Sequence, residues 1–354
     1  MKAIRFHGRK DLRLDEIPIP ELKSDDIKIK PAYVGICGTD LHEYEDGPIV
    51  IPSTSHRVTG EQLPLTLGHE FSGVVYEVGS AVTSYKPGDR VVVQPVIYDG
   101  TCGACKQAQI NCCYNMGFIG TSSAGGLAEF IVVKESFLFR LPDNVSLDVG
   151  AMVEPLAVAW HSTDVANVRP SDSVLILGGG PIGIAVLLCL KAKGISNIIV
   201  SEVAAGRKKL ATQFGATHVL DPTEDDVAAR CRQICDNEGV HVVIDAAGVQ
   251  SGLDTAIEAC RVRATIVNIA LWGKSPTVAV NTMIYKEITY KGSAIYVQGD
   301  FQQVLDALGN GKIANAKDMI TKKIEMSEVD EGFRLLVEDK ANQVKILIRV
   351  AGGD

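Results

Sequence analysis

Apolar positions in the first part of the chain fall in short runs broken by glycine and proline, as in IKIKPAYVG, FSGVVYEVG, DRVVVQPV and LAEFIVV. Runs of this length predict strands joined by irregular connections, so residues 1–155 read as a mostly β domain. Past residue 156 the pattern changes. Short β-branched runs (SVLILGGG, NIIVSE, HVVIDAAG, ATIVNIA) alternate with longer stretches of helical period (IGIAVLLCLKAKG, AAGRKKLATQFGA, SGLDTAIEAC). Such alternation predicts βαβ units and a doubly wound parallel sheet with helices on both faces over 156–292. A strand-like ITYKGSAIY leads into residues 293–354, which hold a helical FQQVLDALGNGK, an amphipathic SEVDEGFRLLVEDK and a strand-like QVKILIRV. They read as a sheet edge, near Ser293 to Val297, followed by a return to the first domain. No low-complexity linker separates the regions, so the expectation is an α/β protein whose domains pack with a cleft between them.

Composition narrows the function. The 354 residues are 46% apolar and 22% charged, with a formal charge of -8. That is a folded chain with no broad attraction to phosphate backbones or anionic lipid, which excludes nucleic-acid and membrane-surface binding. The longest uncharged run, Val174 to Leu190, is shorter than the ~20 residues a spanning helix needs and is rich in glycine. Charges recur through the N-terminal MKAIRFHGRKDLRLDE, unlike a secretory leader, so a cytoplasmic location is expected. Nine cysteines in such a chain point to reduced thiols or metal ligands rather than a disulfide framework.

The glycines of the uncharged run have a specific context. Strand-like Ser173 to Leu177 enters Gly178-x-Gly180-Pro181-Ile182-Gly183 and then a helical stretch, the setting in which this spacing cradles a dinucleotide. The first glycine permits the turn, the second lets the main chain approach a pyrophosphate, and the third lets helix and strand pack closely. Glycines that merely end a strand need no acid further on, yet the next strand, NIIVSE, ends in Glu202. An acid there accepts hydrogen bonds from ribose hydroxyls and repels a 2′-phosphate, favouring NAD over NADP. Arg207, five residues on, can line the adenosine. The sheet is therefore expected to be Rossmann-type.

In the first domain Gly68-His69-Glu70 is followed by Gly73, Gly79 and Val82, and upstream lies Gly35-Ile36-Cys37-Gly38-Thr39-Asp40-Leu41-His42. Cysteine, histidine and carboxylate suit Zn²⁺. With these motifs the chain resembles, over essentially its full length, the zinc-containing medium-chain alcohol and polyol dehydrogenases. Within that family GTDLHEYEDGPIVIP and VEPLAVAWH are most similar to the 2,3-butanediol (diacetyl/acetoin) dehydrogenases and their sorbitol dehydrogenase relatives.

The resemblance implies a GroES-like fold for the first domain and a catalytic zinc on Cys37 and His69. A carboxylate replaces the third ligand. Glu154, in Val153-Glu154-Pro155, and Glu70 are the alternatives; either binds the metal directly or holds its water. Asp40 suits orientation of His69 through the free ring nitrogen. Thr39 contacts substrate and takes its proton, and His42 passes the proton on by way of the cofactor ribose.

The resemblance further implies a structural zinc held by four cysteines in a lobe where this chain has Asp99, Cys102, Cys105 and Cys113. Asp99 stands where the first cysteine is expected. An aspartate oxygen is a competent zinc ligand, Cys112 is an alternative, and a three-cysteine lobe can also have lost its metal. The expectation is a site with Asp99. Cys189, Cys231, Cys235 and Cys260 are expected to pack in the nucleotide domain.

The implied reaction is NAD-linked oxidation of a secondary vicinal diol, (R,R)-2,3-butanediol to acetoin, or reduction of acetoin and diacetyl. A sorbitol or xylitol dehydrogenase is the nearest alternative, and a non-catalytic zinc-binding member the alternative of another class. The stretch Glu43 to Leu65, with His56 and three prolines, is long for a connector and is expected to shape the substrate pocket or its rim. A homodimer or homotetramer is expected.

Overall fold

The computed structural model describes residues 1–339 and 341–350. It divides into two compact units. Unit 1 comprises Met1–Glu154, Val297–Gly309 and the residues from Lys317 onward, and unit 2 comprises Pro155–Tyr296 and Asn310–Ala316.

Unit 1 is built on a mixed sheet in the order Leu138–Arg140, Arg90–Val93, Glu70–Val78, Asp26–Gly35, Lys345–Arg349, Ile320–Glu325, with Ile131–Lys134 also pairing with Asp26–Gly35. A smaller sheet joins Asp11–Glu16, Lys2–Gly8 and Leu65–Thr66, and a two-stranded ribbon joins Val96–Ile97 to Gly117–Phe118. Alternating apolar positions, among them Ile27, Ile29, Phe71, Val75, Val91, Val93, Ile346 and Ile348, bury one continuous core with Phe333 and Leu336 of helix Val329–Glu338. Each such buried side chain contributes roughly 1.5–3 kcal/mol of transfer free energy. The register sets Gly35 opposite Glu70 on one side and opposite Leu347 on the other. The strand Lys345–Arg349 thereby lies beside Asp26–Gly35, which runs into Cys37.

Unit 2 is a six-stranded, wholly parallel sheet in the order His218–Leu220, Asn197–Ser201, Ser173–Leu177, Val240–Asp245, Cys260–Asn268, Thr289–Gly292. Every residue of Ser173–Leu177 is buried, as a central parallel strand covered on both faces must be. The α/β reading therefore stands, with a Rossmann-type sheet and a mostly β unit. One expectation is corrected in part. Of the strand-like ITYKGSAIY, Thr289–Gly292 forms the edge strand, whereas the stretch from Ser293 to Val297 lies outside the sheet and holds Ile295 in the left-handed region at φ 53°. That conformation cannot extend a strand.

Among the described residues no helix is long and apolar enough to cross a membrane. The uncharged run from Val174 is instead a strand, a glycine turn and the helix Pro181–Ala192. Cys189, Cys231 and Cys260 are buried in unit 2 and Cys235 is half-buried.

Candidate active site and metal centres

Two elements of unit 1 converge on the first metal motif. Cys37 caps helix Gly38–Asp46, its main-chain N–H donating to Asp40 Oδ2 at 2.9 Å. His69 precedes, and Glu70 opens, the strand Glu70–Val78. Cys37 Sγ, a His69 ring nitrogen and a Glu70 carboxylate oxygen all lie within 4.8 Å of one another. His69 and Glu70 are buried and Cys37 is half-buried.

The electrostatics of this cluster are those of a cation site. Burial opposes charge on His69, but Asp40, Cys37 and Glu154 around it raise its pKa well above the ordinary 6.5. Burial also pushes the Asp40 carboxyl up. His69 Nδ1 and Asp40 Oδ1 are 3.7 Å apart, and neither has a hydrogen-bond partner. A thiol, an imidazole and a carboxylate at this spacing fit Zn²⁺, and the acid behind the imidazole is the kind of outer partner that orients a ligating histidine.

Glu70 and Glu154 have different surroundings. Lys345 Nζ donates to both oxygens of Glu70 at 2.7 Å and to Ile36 O at 3.2 Å. Burial works against the charge on Lys345, yet Glu70, Cys37 and Glu154 raise its pKa. Glu154 is buried at the start of helix Val153–Ala166, close enough to act on both His69 and Lys345, and is not one of the three clustered groups. Thr39 Oγ1 accepts from Cys37 Sγ at 3.8 Å. His42 is exposed on the same helix, whereas Glu43 beside it is buried.

Sequence reasoning missed Lys345. Its one signal was a lysine set directly before the apolar run ILI in the strand KILIR. It also missed Phe118, whose ring meets that of His69 edge-on at 5.7 Å.

The second cluster brings together the residues that the resemblance implied. Asp99, Cys102, Cys105 and Cys113 bring their ligand atoms within 4.8 Å of one another, while Cys112 is exposed and outside the group. Main-chain N–H groups point at the sulfurs: Cys105 N–H donates to Cys102 Sγ at 3.5 Å, and the N–H groups of Asp99 and Asn115 to Cys113 Sγ at 3.4 Å. Asp99 Oδ1 accepts the N–H groups of Cys102 at 2.9 Å and Thr101 at 2.7 Å, and Oδ2 accepts Asn115 Nδ2 at 2.8 Å. These donors hold the carboxyl well below the usual carboxylate range. Burial, with Cys102 and Cys113 alongside, pushes the Cys105 thiol up to about 12. Sulfurs that crowd together and are met by amide donors suit a metal that takes up their negative charge.

In unit 2 the glycine turn has the predicted form. Gly178 has φ 91°, and a Cβ on Gly183 would sit 1.9 Å from Gly178 O, so only glycine allows the helix to start this close to the strand. Pro181 opens the helix and Ile182 follows it in the first turn. Glu202 is buried, its Oε2 accepting Gly179 N–H at 2.7 Å and its Oε1 accepting Ala204 N–H at 2.8 Å. Arg207 Nη1 lies 4.0 Å from Glu202 Oε2 and 3.6 Å from the point a Cβ of Gly180 would occupy. An anion-binding helix N-terminus, a fixed carboxylate and a guanidinium thus meet at one loop.

A glycine-rich strand-to-helix loop in one unit and two metal-competent clusters in the other describe a metal-dependent oxidoreductase architecture. Residues 23–143 match the Alcohol dehydrogenase GroES-like domain and residues 181–310 the Zinc-binding dehydrogenase family. The (R,R)-butanediol dehydrogenase of Bacillus subtilis (strain 168) is 40% identical over 353 residues, covering 99% of each chain. A probable D-xylulose reductase A of Aspergillus clavatus is 36% identical over 349 residues, 97% of this chain and 95% of that one. The crystal structure of 2R,3R-butanediol dehydrogenase from Bacillus subtilis superposes with a TM-score of 0.92 at 39% identity, covering 98% of this chain and 99% of that one. The chain belongs to the zinc-containing medium-chain alcohol dehydrogenase family.

Proposed function

We propose that this zinc-dependent dehydrogenase interconverts a secondary vicinal diol and its hydroxyketone with NAD(H), (R,R)-2,3-butanediol and acetoin being the leading pair and diacetyl a further substrate for reduction. The observation that carries the reading is the buried cluster of Cys37, His69 and Glu70 with Asp40 behind it. The similarity to butanediol dehydrogenases over nearly the whole chain supports the choice of substrate.

Zinc bound there supplies a Lewis acid that acidifies a hydroxyl or polarises a carbonyl, and NAD supplies the hydride acceptor. Cys37 and His69 hold the metal, Glu70 is the third ligand, and Glu154 adds negative charge beside it. Thr39, two residues from Cys37, takes the substrate's proton on its hydroxyl. His42, exposed on the same helix, relays it outward. Gly178, Gly180, Pro181, Ile182 and Gly183 receive the pyrophosphate, and Glu202 with Arg207 receives the adenosine ribose. The Asp99 lobe takes a second zinc with a structural role. Nine cysteines, all free of disulfides, support a reducing cytoplasmic setting.

A second copy of the chain covers the open side of Thr289–Gly292. That strand ends the sheet, and nearby Leu271 and Tyr285 are 85% and 86% exposed, with Val280 and Ile284 more than half exposed. An apolar surface beside an unpaired strand edge suits pairing with the same edge of another subunit about a two-fold axis.

A panel of 2,3-butanediol stereoisomers, acetoin, diacetyl, sorbitol and xylitol, each with NAD and NADP, tests the reading. The expected result is highest kcat/KM with (R,R)-2,3-butanediol and NAD. The likeness to a D-xylulose reductase favours the polyol alternative, and a clear preference for sorbitol or xylitol would establish it. Zinc-free, inactive protein would establish the non-catalytic one.

A further inference from the structure

Asn115 meets the second metal cluster twice. Its main-chain N–H donates to Cys113 Sγ at 3.4 Å, and its side-chain Nδ2 donates to Asp99 Oδ2 at 2.8 Å. The amide is held from its other end as well, because Oδ1 accepts Arg57 Nη1 at 3.4 Å. A carboxylate can only accept and a guanidinium can only donate, so the two neighbours settle which end of the amide faces which. Arg57 is exposed and belongs to the stretch Glu43 to Leu65, so that long connector reaches the metal lobe.

The two oxygens of Asp99 are loaded differently. Oδ1 accepts the N–H groups of Thr101 at 2.7 Å and Cys102 at 2.9 Å, together with the Thr101 hydroxyl at 3.3 Å. A carboxylate oxygen offers about two lone pairs, so Oδ1 is filled. Oδ2 takes Asn115 and keeps its other lone pair. The donors on Oδ1 come from the chain just beyond Asp99, whereas Asn115 comes from the far end of the lobe, 16 positions on.

A sulfur of cysteine is placed by one side-chain torsion, but an oxygen of aspartate is placed by two, and the second of these is broad. Donors on Oδ1 alone would let the carboxylate tilt about that oxygen. Asn115 fixes it at a second point. We infer that Asn115 is a positioning residue of this lobe, whose side-chain amide turns Asp99 Oδ2 so that an aspartate serves where the other three donors are sulfurs. The inference rests on the reading that the lobe takes a zinc.

Zinc affinity tests it, read by competition with a chromogenic chelator on the full chain carrying Cys37→Ser, so that the lobe is the site under titration. In that background Asn115→Ala is expected to weaken zinc binding by about tenfold or more, as loss of a ligand's outer partner does. Asn115→Asp keeps the size of the side chain but sets a carboxylate against Asp99, and is expected to weaken binding at least as much. The main-chain N–H to Cys113 survives in both. When Asp99→Cys is also present, Asn115→Ala should change the affinity by less than about threefold, because a sulfur placed by one torsion needs no amide to aim it. Zinc bound as tightly by the Asn115 variants as by their parent overturns the inference, and so does an equal loss with and without Asp99→Cys, which marks a merely structural role. Both of those outcomes leave the second zinc standing. A Cys37→Ser protein that takes up no zinc removes the second zinc itself, and the inference with it.

Discussion

Lys345 and Glu70 form a closed pair in which one ammonium donates to both oxygens of one carboxylate, each at 2.7 Å, with both side chains buried. Removing one partner leaves the other charged group buried without compensation. Lys345→Met is expected to destabilise unit 1 by about 3–5 kcal/mol, whereas Lys345→Arg retains most of the stability. Urea unfolding of the two variants checks this, and equal midpoints for Lys345→Met and the wild type would refute it.

The two metal clusters are expected to be independent. Cys37→Ser should remove about one equivalent of zinc and abolish turnover while the unfolding midpoint changes little. Cys105→Ser should remove about one equivalent as well, with its main effect on stability. Elemental analysis beside thermal unfolding distinguishes the two. Loss of all zinc from either single variant would contradict separate sites.

Glu202 sets the expected cofactor choice. Its carboxylate is fixed by Gly179 and Ala204 N–H groups at the glycine loop. Glu202→Ala is expected to lower kcat/KM with NAD by about tenfold and to raise that with NADP, since a repelling charge is gone while Arg207 remains. Cofactor titrations of the two proteins provide the check.

Asp89 links stability to acidity. Burial works against its ionisation, yet hydrogen bonds from Lys86 and Arg140 prevail and hold its pKa at about 2, below the ordinary 3.8. A depressed carboxyl contributes stability while ionised, so the contribution is present above pH ~4 and is lost as pH falls toward about 2. Asp89→Asn should lower the melting temperature by a few degrees at neutral pH, with the gap closing across that window. A gap that persists at pH 2 would be inconsistent with this account.

The exposed face beside Thr289–Gly292 makes a prediction about assembly. Ile284→Glu places a charge on the proposed contact and should yield monomer at concentrations where the wild type sediments as a larger species. Monomeric wild-type protein would dispose of the idea.

Much of this was legible before any coordinates. The change from Gly- and Pro-broken runs to strand–helix alternation marked the two kinds of sheet because apolar periodicity reports which face is buried. Cys37, His69 and Glu70 were recognisable because they sit in short local motifs, and the glycine turn because its spacing has one geometric solution. Lys345 was not legible. Its partner is brought to it by sheet register, and nothing in KILIR names a carboxylate on a distant strand. His56 was visible only as a residue in a long connector, since the N–H groups of Val58 and Thr59 that its Nδ1 accepts are brought to it by the turn of the loop. The strand expected from Ser293 onward failed because one left-handed residue, Ile295, outweighs favourable β composition.

The pairing of Lys345 with Glu70 also bears on the order in which the molecule is made. The two residues are 275 positions apart, and the strand that carries Lys345 enters the sheet beside residues synthesised far earlier. Unit 2 emerges in full between them. A growing chain therefore carries Cys37, His69 and Glu70 for most of its synthesis without the lysine that neutralises the last of them. A chain without Lys345–Arg349 would lack the ammonium that holds both oxygens of Glu70.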